Sequence, residues 1–526
     1  MKNLVHIALG SWYTMLLVSL VGIAIQNSPP NGFLQSDSLW PISLLRDWQT
    51  GRLPLAGWRL PPAPGFFPDL AVLLFGMPFD FQPLVSFGLF ALWIGVALFG
   101  TLHRGYQQIS MVGPGQSRQT PDYFLAGTSI LSLYLILDQQ DFQHSLGSAL
   151  LPASHGGAAT VALLSASVVL GGRLPQRQKQ LSNLALFGLA LAAALTLISD
   201  RLFLFYGLLP LLCAAFWFPV VRRPIVIYLV FVLASLACML PLLVSPGGML
   251  LSEFDLSAIG SAWALKGMRL ESWLAWLQNA LRSARLELYL YLGFGASILA
   301  TWHRQARSRP WRTWMLFLGS AIFINISVTM LITLPTGILI HRYLVMASLS
   351  ALVGISLNLS LQLPRLCTPW PMGALMLTGL CAGLTLQGPP RIARPGNTQP
   401  RQSECMRDFV SRNQLHSGVA TYWQARVWQV SLQKPVLALT RSMQVNWWNS
   451  NVLEYFGWYG RPHYFDWLIT AGFDDALLTR LGEPRQKQQC GPLELWDYSG
   501  PAGNALRHKL NFDASRRELL RLTIGR

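Results

Sequence analysis

Charge is what this chain has least of. Only 12% of its 526 residues are Asp, Glu, Lys or Arg, where an ordinary soluble domain carries about a quarter. Acids are the scarcer sign, 23 against 40 basic residues, for a formal charge of +17. With 52% hydrophobic residues and a mean hydropathy of +0.37, the deficit excludes a water-soluble globular protein. Cysteine is also sparse. There are 6 and no C-x-x-C pair, so a zinc knuckle or dithiol redox centre has no support. Cys213, Cys238, Cys367 and Cys381 fall in or beside apolar runs, where a thiol behaves as a small hydrophobe. Cys405 and Cys490 lie in the polar C-terminal part and can pair if that part faces an oxidising compartment. No Gly-rich phosphate loop, nucleophile elbow or HExxH is present, and there is no internal repeat. Many basic residues sit in short loops between apolar runs, as positive-inside topology demands. They form no patch of the kind that binds nucleic acid.

What the chain has in quantity is apolar runs of about 20 residues, each able to cross the roughly 30 Å hydrocarbon core as a helix. The expected spans are Leu4–Ile25, Pro83–Leu102, Tyr123–Leu137, Ala158–Gly171, Leu181–Ile198, Leu202–Val220, Ile225–Val244, Leu288–Thr301, Trp314–Leu334, Leu344–Leu361 and Met372–Leu386. That is a polytopic α-helical membrane protein of about eleven spans. The first run follows a single Lys2, is longer than a signal-peptide core and has no A-x-A site after it, so it reads as an uncleaved span. Leu70–Met77 is too short to cross and reads as re-entrant or interfacial. Basic loops at Arg104/Arg118, Arg173/Lys179, Arg222/Arg223, Arg304/Arg312 and Arg365 alternate along the chain. The positive-inside rule places them, with the N-terminus, in the cytoplasm of an inner-membrane protein. The first long loop and everything beyond the last span are then extracytoplasmic.

The expected organisation is a transmembrane domain over 1–387 whose first outer loop covers 26–69, a Pro-rich linker over 388–402, and an extracytoplasmic α/β domain over 403–526. In the last region GVAT, PVLAL, HYFDWLI and LELWDY are strand-like. YWQARVWQVSLQ and DDALLTRLG read as helices, the second capped by Asp474 or Asp475. Within the outer loop Ser245–Glu287, apolar residues recur at helical spacing with Arg282 and Arg285 interleaved, the pattern of an interfacial amphipathic helix.

In so acid-poor a chain, the carboxylates of the outer loops are the candidates for chemistry. Asp37 precedes the apolar stretch SLWPISLLRDW; it fits a general base for a hydroxyl nucleophile and equally a helix cap. Asp69 ends FFPD at a membrane boundary, where an ionisable group marks function. Asp47 follows Arg46 and reads as a solvated partner. Asp138 and Asp141, spaced i,i+3, lie near His144 and His155. They offer oxygen and imidazole donors to a divalent metal, but the histidines lack helical ligand spacing, so no cofactor is assigned. Among cations, Arg342 in IHRY re-enters the membrane between His341 and Tyr343. Its forked guanidinium suits a phosphate, and snorkelling to headgroups is the alternative. Arg201, beside Asp200 in a tight turn, reads as a structural ion pair or a second phosphate ligand. Trp40 and Trp58 could stack on a sugar face.

This layout resembles the GT-C superfamily of membrane glycosyltransferases: a first span, an outer loop bearing Asp37, further spans, a boundary Arg342 and an outer C-terminal domain. The resemblance implies a polyprenyl-phosphate-linked sugar donor, a hydroxyl acceptor on a lipid or envelope glycan, Asp37 as base, and Arg342, Arg201 and His341 at the donor phosphate. Asp37 is followed by Ser38, not by the Glu that some members carry. Val445-Asn446-Trp447-Trp448-Asn449 has Asn where the protein-glycosylating branch carries an acid. A bacterial transferase for a lipid- or envelope-linked acceptor therefore fits better. The competing class is a transporter or lipid flippase, which places charges inside its spans and shows paired repeats; here the acids cluster in outer loops.

Overall fold

The computed structural model describes residues 36–51, 58–59, 65–110, 144–170, 179–244, 270–334, 339–362, 398–444, 446, 450–451, 465–504 and 507–508. The expected spans Leu4–Ile25, Tyr123–Leu137 and Met372–Leu386 lie outside them, as do Asp138 and Asp141. The chain divides into two compact units. One is built from Pro62–Gly76 and Leu84–Pro390, and the other joins Ile25–Pro61 and Met77–Pro83 to Arg391–Arg526.

The first unit is helical. Pro83–Ser110, Pro219–Met239, Arg309–Thr333 and His341–Leu361 are long and apolar enough to cross a membrane. Among the described residues, other apolar runs form helices as well, such as Gly156–Val169, Lys179–Ser199 and Leu204–Trp217. A helix of 14 residues such as Gly156–Val169 reaches only about 21 Å, short of a full crossing. The central helix, Val345–Gln362, is almost wholly buried between Arg285–Gln305 and Arg309–Thr333. Close packing needs Gly354: a Cβ there would lie 2.2 Å from the Phe294 ring. Asn358 ties the three helices together, accepting from Trp311 Nε1 (2.8 Å) and donating to Ser297 Oγ (3.0 Å). Pro219–Met239, by contrast, leaves Val230 and Leu233 exposed. The amphipathic helix expected in the Ser245–Glu287 loop appears at Leu270–Ser283.

The second unit carries a five-stranded sheet. Its strands are β2 (Ser417–Thr421), β3 (Val436–Leu439), β5 (Phe465–Ile469), β6 (Gln486–Cys490) and β7 (Leu493–Asp497), in the order β3-β2-β5-β7-β6. β2 is parallel to β3 and β5, while β7 is antiparallel to β5 and β6. Alternate residues serve opposite faces. Ala420, Ala438 and Trp467 join Met406, Phe409 and Trp428 in one core, whereas Val419, Leu437 and Leu468 join Phe465 and Tyr498 in the other. A central strand buried on both faces reads as an unbroken apolar run, which is why β2, β3 and β5 are visible in the sequence. β6, the polar edge strand QKQQC, is not. Asp474 caps the Asp475–Arg480 helix by accepting from Ala476 N–H at 3.0 Å. The helix Thr398–Arg412 begins inside the stretch read as a linker, and Cys405 is disulfide-bonded to Cys490 in β6. The helix Ser36–Thr50 packs on Tyr422–Leu432, and β1 (Trp58–Arg59) pairs antiparallel with β4 (Ser450–Asn451). The first outer loop therefore contributes to both units, a split that its composition does not announce.

Candidate functional site

Asp69 sits in the helical unit at the start of Phe66–Phe79 and is only 3% exposed. Its backbone is moored to the end of Lys179–Ser199: Ser199 Oγ accepts from Phe67 N–H at 3.0 Å, and Ser199 O accepts from Gly65 N–H at 3.4 Å. Its carboxylate accepts from Ala153 N–H at 2.7 Å and lies at the N-terminal end of Gly156–Val169. Gly157 makes that approach possible, because a Cβ at this position would fall 1.9 Å from Asp69 Oδ1. Ala153 and His155 both take left-handed backbone, at φ 59 and 67. Such conformations in non-glycine residues gather at functional sites. Burial raises the Asp69 carboxyl to about 7; the nearby charge of Asp200 adds to the rise and the Ala153 hydrogen bond opposes it.

Asp200 belongs to the same cluster. It hydrogen-bonds the Nδ1 of His155 at 2.6 Å and accepts from Leu202 N–H at 3.1 Å. A carboxylate fixing one imidazole nitrogen leaves the other to take or give protons. The His155 ring lies 5.3 Å from that of Tyr343. Asp200, Tyr343 and Arg342 are all within electrostatic reach of the Tyr206 phenol.

A second cluster centres on Glu287, in the first turn of Arg285–Gln305 and fully buried. It hydrogen-bonds the Nδ1 of His341 at 3.0 Å and of His144 at 3.2 Å, and accepts from Ser145 N–H at 3.0 Å. The two imidazoles meet edge to face, centroids 4.7 Å apart. Burial alone would raise the Glu287 carboxyl; the His144, His341 and Ser145 hydrogen bonds outweigh it and hold the group well below the usual carboxylate range.

The His341–Leu344 turn joins the two clusters. His341 belongs to the Glu287 cluster, Tyr343 packs on His155, and the Arg342 guanidinium lies 5.6 Å from the Tyr343 ring. Asn325 holds the turn from behind: its amide donates to Tyr343 O at 2.7 Å and accepts from Ala347 N–H at 2.8 Å. Thr329 Oγ donates to the same carbonyl at 3.1 Å. Asp69, His155, His341 and Arg342, all selected from the sequence, thus fall in one connected network. Arg201 follows Asp200 in its turn and is half-buried.

Asp37 belongs to the other unit. It accepts a hydrogen bond from the Tyr422 hydroxyl, at the start of the Ser36–Thr50 helix. Asp47, read as solvated, is buried and accepts from Trp58 Nε1 at 3.0 Å. Trp40 and Trp58, read as faces for a sugar, are both buried, and the Arg426 guanidinium stands 5.3 Å from the Trp58 ring. Sequence reasoning passed over Glu287, which looked like the end of a loop, and set His144 aside for want of spacing. Its partners come from elements far apart in the chain, so no local spacing could reveal them. The one signal was an acid at the mouth of an apolar run. No family model, characterised protein or solved structure matches this chain.

Proposed function

We propose that the chain is a membrane glycosyltransferase of the GT-C kind, moving a sugar from a polyprenyl-phosphate donor to a hydroxyl on a lipid or envelope glycan. In this reading about eleven spans place the site at the outer face of the inner membrane. The basic loops lie inside and the sheet domain outside. The Cys405–Cys490 disulfide supports an oxidising surround for that domain.

The observation that carries the reading is Asp69, a buried carboxyl raised to about 7. A base is most effective when its pKa lies near the working pH. Ionised Asp69 takes the proton of the acceptor hydroxyl as its oxygen forms the new bond to the anomeric carbon. The bond from that carbon to the phosphate oxygen breaks, and lipid phosphate departs as an anion. Arg342 stabilises that charge, as a pre-placed cation does at a developing anion. The His155–Asp200 pair supplies a second proton acceptor beside Asp69. Asp37, the acid that the GT-C resemblance selects, is the competing base.

The test is transfer by the purified full chain from polyprenyl-phosphate sugars, alongside envelope glycan composition in cells. Asp69→Asn should lower kcat by about 10²-fold or more, and Arg342→Ala should weaken donor binding. Full activity in Asp69→Asn with loss in Asp37→Asn moves the base to Asp37. Unchanged glycans in both variants, with the unmodified protein active, overturn the reading.

A further inference from the structure

We infer that His144, Glu287 and His341 form a binding site for a divalent transition-metal cation of the zinc type. Three elements deliver the ligands. His144 caps the Ser145–Ala149 helix, Glu287 opens Arg285–Gln305, and His341 opens the His341–Leu344 turn. One ligand atom from each lies within 4.8 Å of the other two. The Nδ1-to-carboxylate separations are 3.2 and 3.0 Å. Ligands held about 2.0–2.1 Å from a tetrahedral zinc ion stand about 3.3 Å apart, close to both imidazole–carboxylate separations.

Ligand chemistry selects the metal class. Two imidazoles with one carboxylate suit zinc, cobalt or iron, whereas magnesium and calcium require a shell of oxygens. Three protein ligands leave a coordination position open, the pattern of catalytic rather than structural zinc sites. The outer shell is in place as well. Ser145 N–H fixes Glu287, and a Tyr291–Ser348–Ser145 hydroxyl chain, at 3.1 and 2.7 Å, fixes the residue beside His144. Such supports orient ligating side chains. Electrostatics agrees: Glu287 is fully buried, and a buried carboxylate requires a compensating charge, which a divalent ion shared with the imidazoles provides. A hydrogen-bonded cluster without metal is the competing account. This inference stands independently of the glycosyltransferase reading.

The test uses the full chain in detergent, stripped with chelator and titrated with Zn²⁺ or Co²⁺ alone. Expected are about one equivalent bound and visible cobalt absorption of four- or five-coordinate type. His144→Ala/His341→Ala should weaken Zn²⁺ binding by more than about 100-fold, beyond the 10–100-fold that losing an outer-shell partner gives. His303→Ala, at an exposed histidine on the same helix as Glu287, should bind normally. Because the double variant could unfold, the cobalt spectrum of the unmodified chain decides by itself. Absence of the bands at saturating Co²⁺ overturns the proposal, as does equal Zn²⁺ affinity in a folded double variant.

Discussion

Asp69 is a carboxyl that the fold prefers to keep protonated. Its pKa rises from an ordinary 3.8 to about 7, so between those values the folded chain holds a proton that the unfolded chain has released. Stability then falls as pH rises from about 4 to 7 and levels off above, with a penalty of at most about 4 kcal/mol. Asp69→Asn should flatten that dependence and raise the melting temperature at pH 8 while slowing transfer by about 10²-fold or more. Melting curves from pH 4 to 8 check it, and parallel curves for the two proteins would remove this assignment. The same residue sets the activity profile, which should rise through about pH 7 as the base ionises. Gly157 offers a second probe. Gly157→Ala places a methyl 1.9 Å from Asp69 Oδ1 and 2.8 Å from the Pro68 ring. It should destabilise by about 1–3 kcal/mol and depress kcat although no reacting group is removed. Asp69 was legible as an acid at a boundary in an acid-poor chain. Its poise was not, because Ala153, Gly157 and Asp200 reach it from distant parts of the sequence.

Among the elements, the His341–Leu344 turn matters most, and it depends on Asn325. Asn325→Ala leaves Ala347 N–H without its acceptor and takes one donor from Tyr343 O. A buried group left unsatisfied costs about 1–3 kcal/mol. The variant should melt lower and bind donor more weakly, through displacement of His341 and Arg342. Normal donor affinity at a reduced melting temperature would confine Asn325 to stability. Helices were the most legible part of the fold: the expected Pro83, Trp314 and Leu344 spans appear as Pro83–Ser110, Arg309–Thr333 and Val345–Gln362. Hydropathy marks where an apolar helix runs. It marks less well which helices are long enough to cross, because short ones such as Gly156–Val169 and Leu204–Trp217 carry the same composition.

At the scale of the molecule, the sheet domain is closed by the disulfide between Cys405 and Cys490, 85 residues apart. Cys405→Ser should lower the domain's stability by about 2–5 kcal/mol. Alkylation without reduction should leave Cys405 and Cys490 unlabelled, and a quantitative label at both would contradict the bridge. Strands β2, β3, β5 and β7 were readable from their apolar runs, but the polar edge strand β6 and the partnership of the first loop were not. Nothing in SDSLWPISLLRDW says that it packs on Tyr422–Leu432, since that pairing spans most of the chain. The arrangement has a consequence for synthesis. The Ser36–Thr50 helix is made 372 residues (422 minus 50) before Tyr422–Leu432, the segment that covers it. At about 5–20 residues per second, it waits on the order of 20–70 s with its apolar face uncovered. A later-made segment covers an earlier one, so a chain cut short before Tyr422 leaves the Ser36–Thr50 helix without its cover, a target for chaperones and proteases.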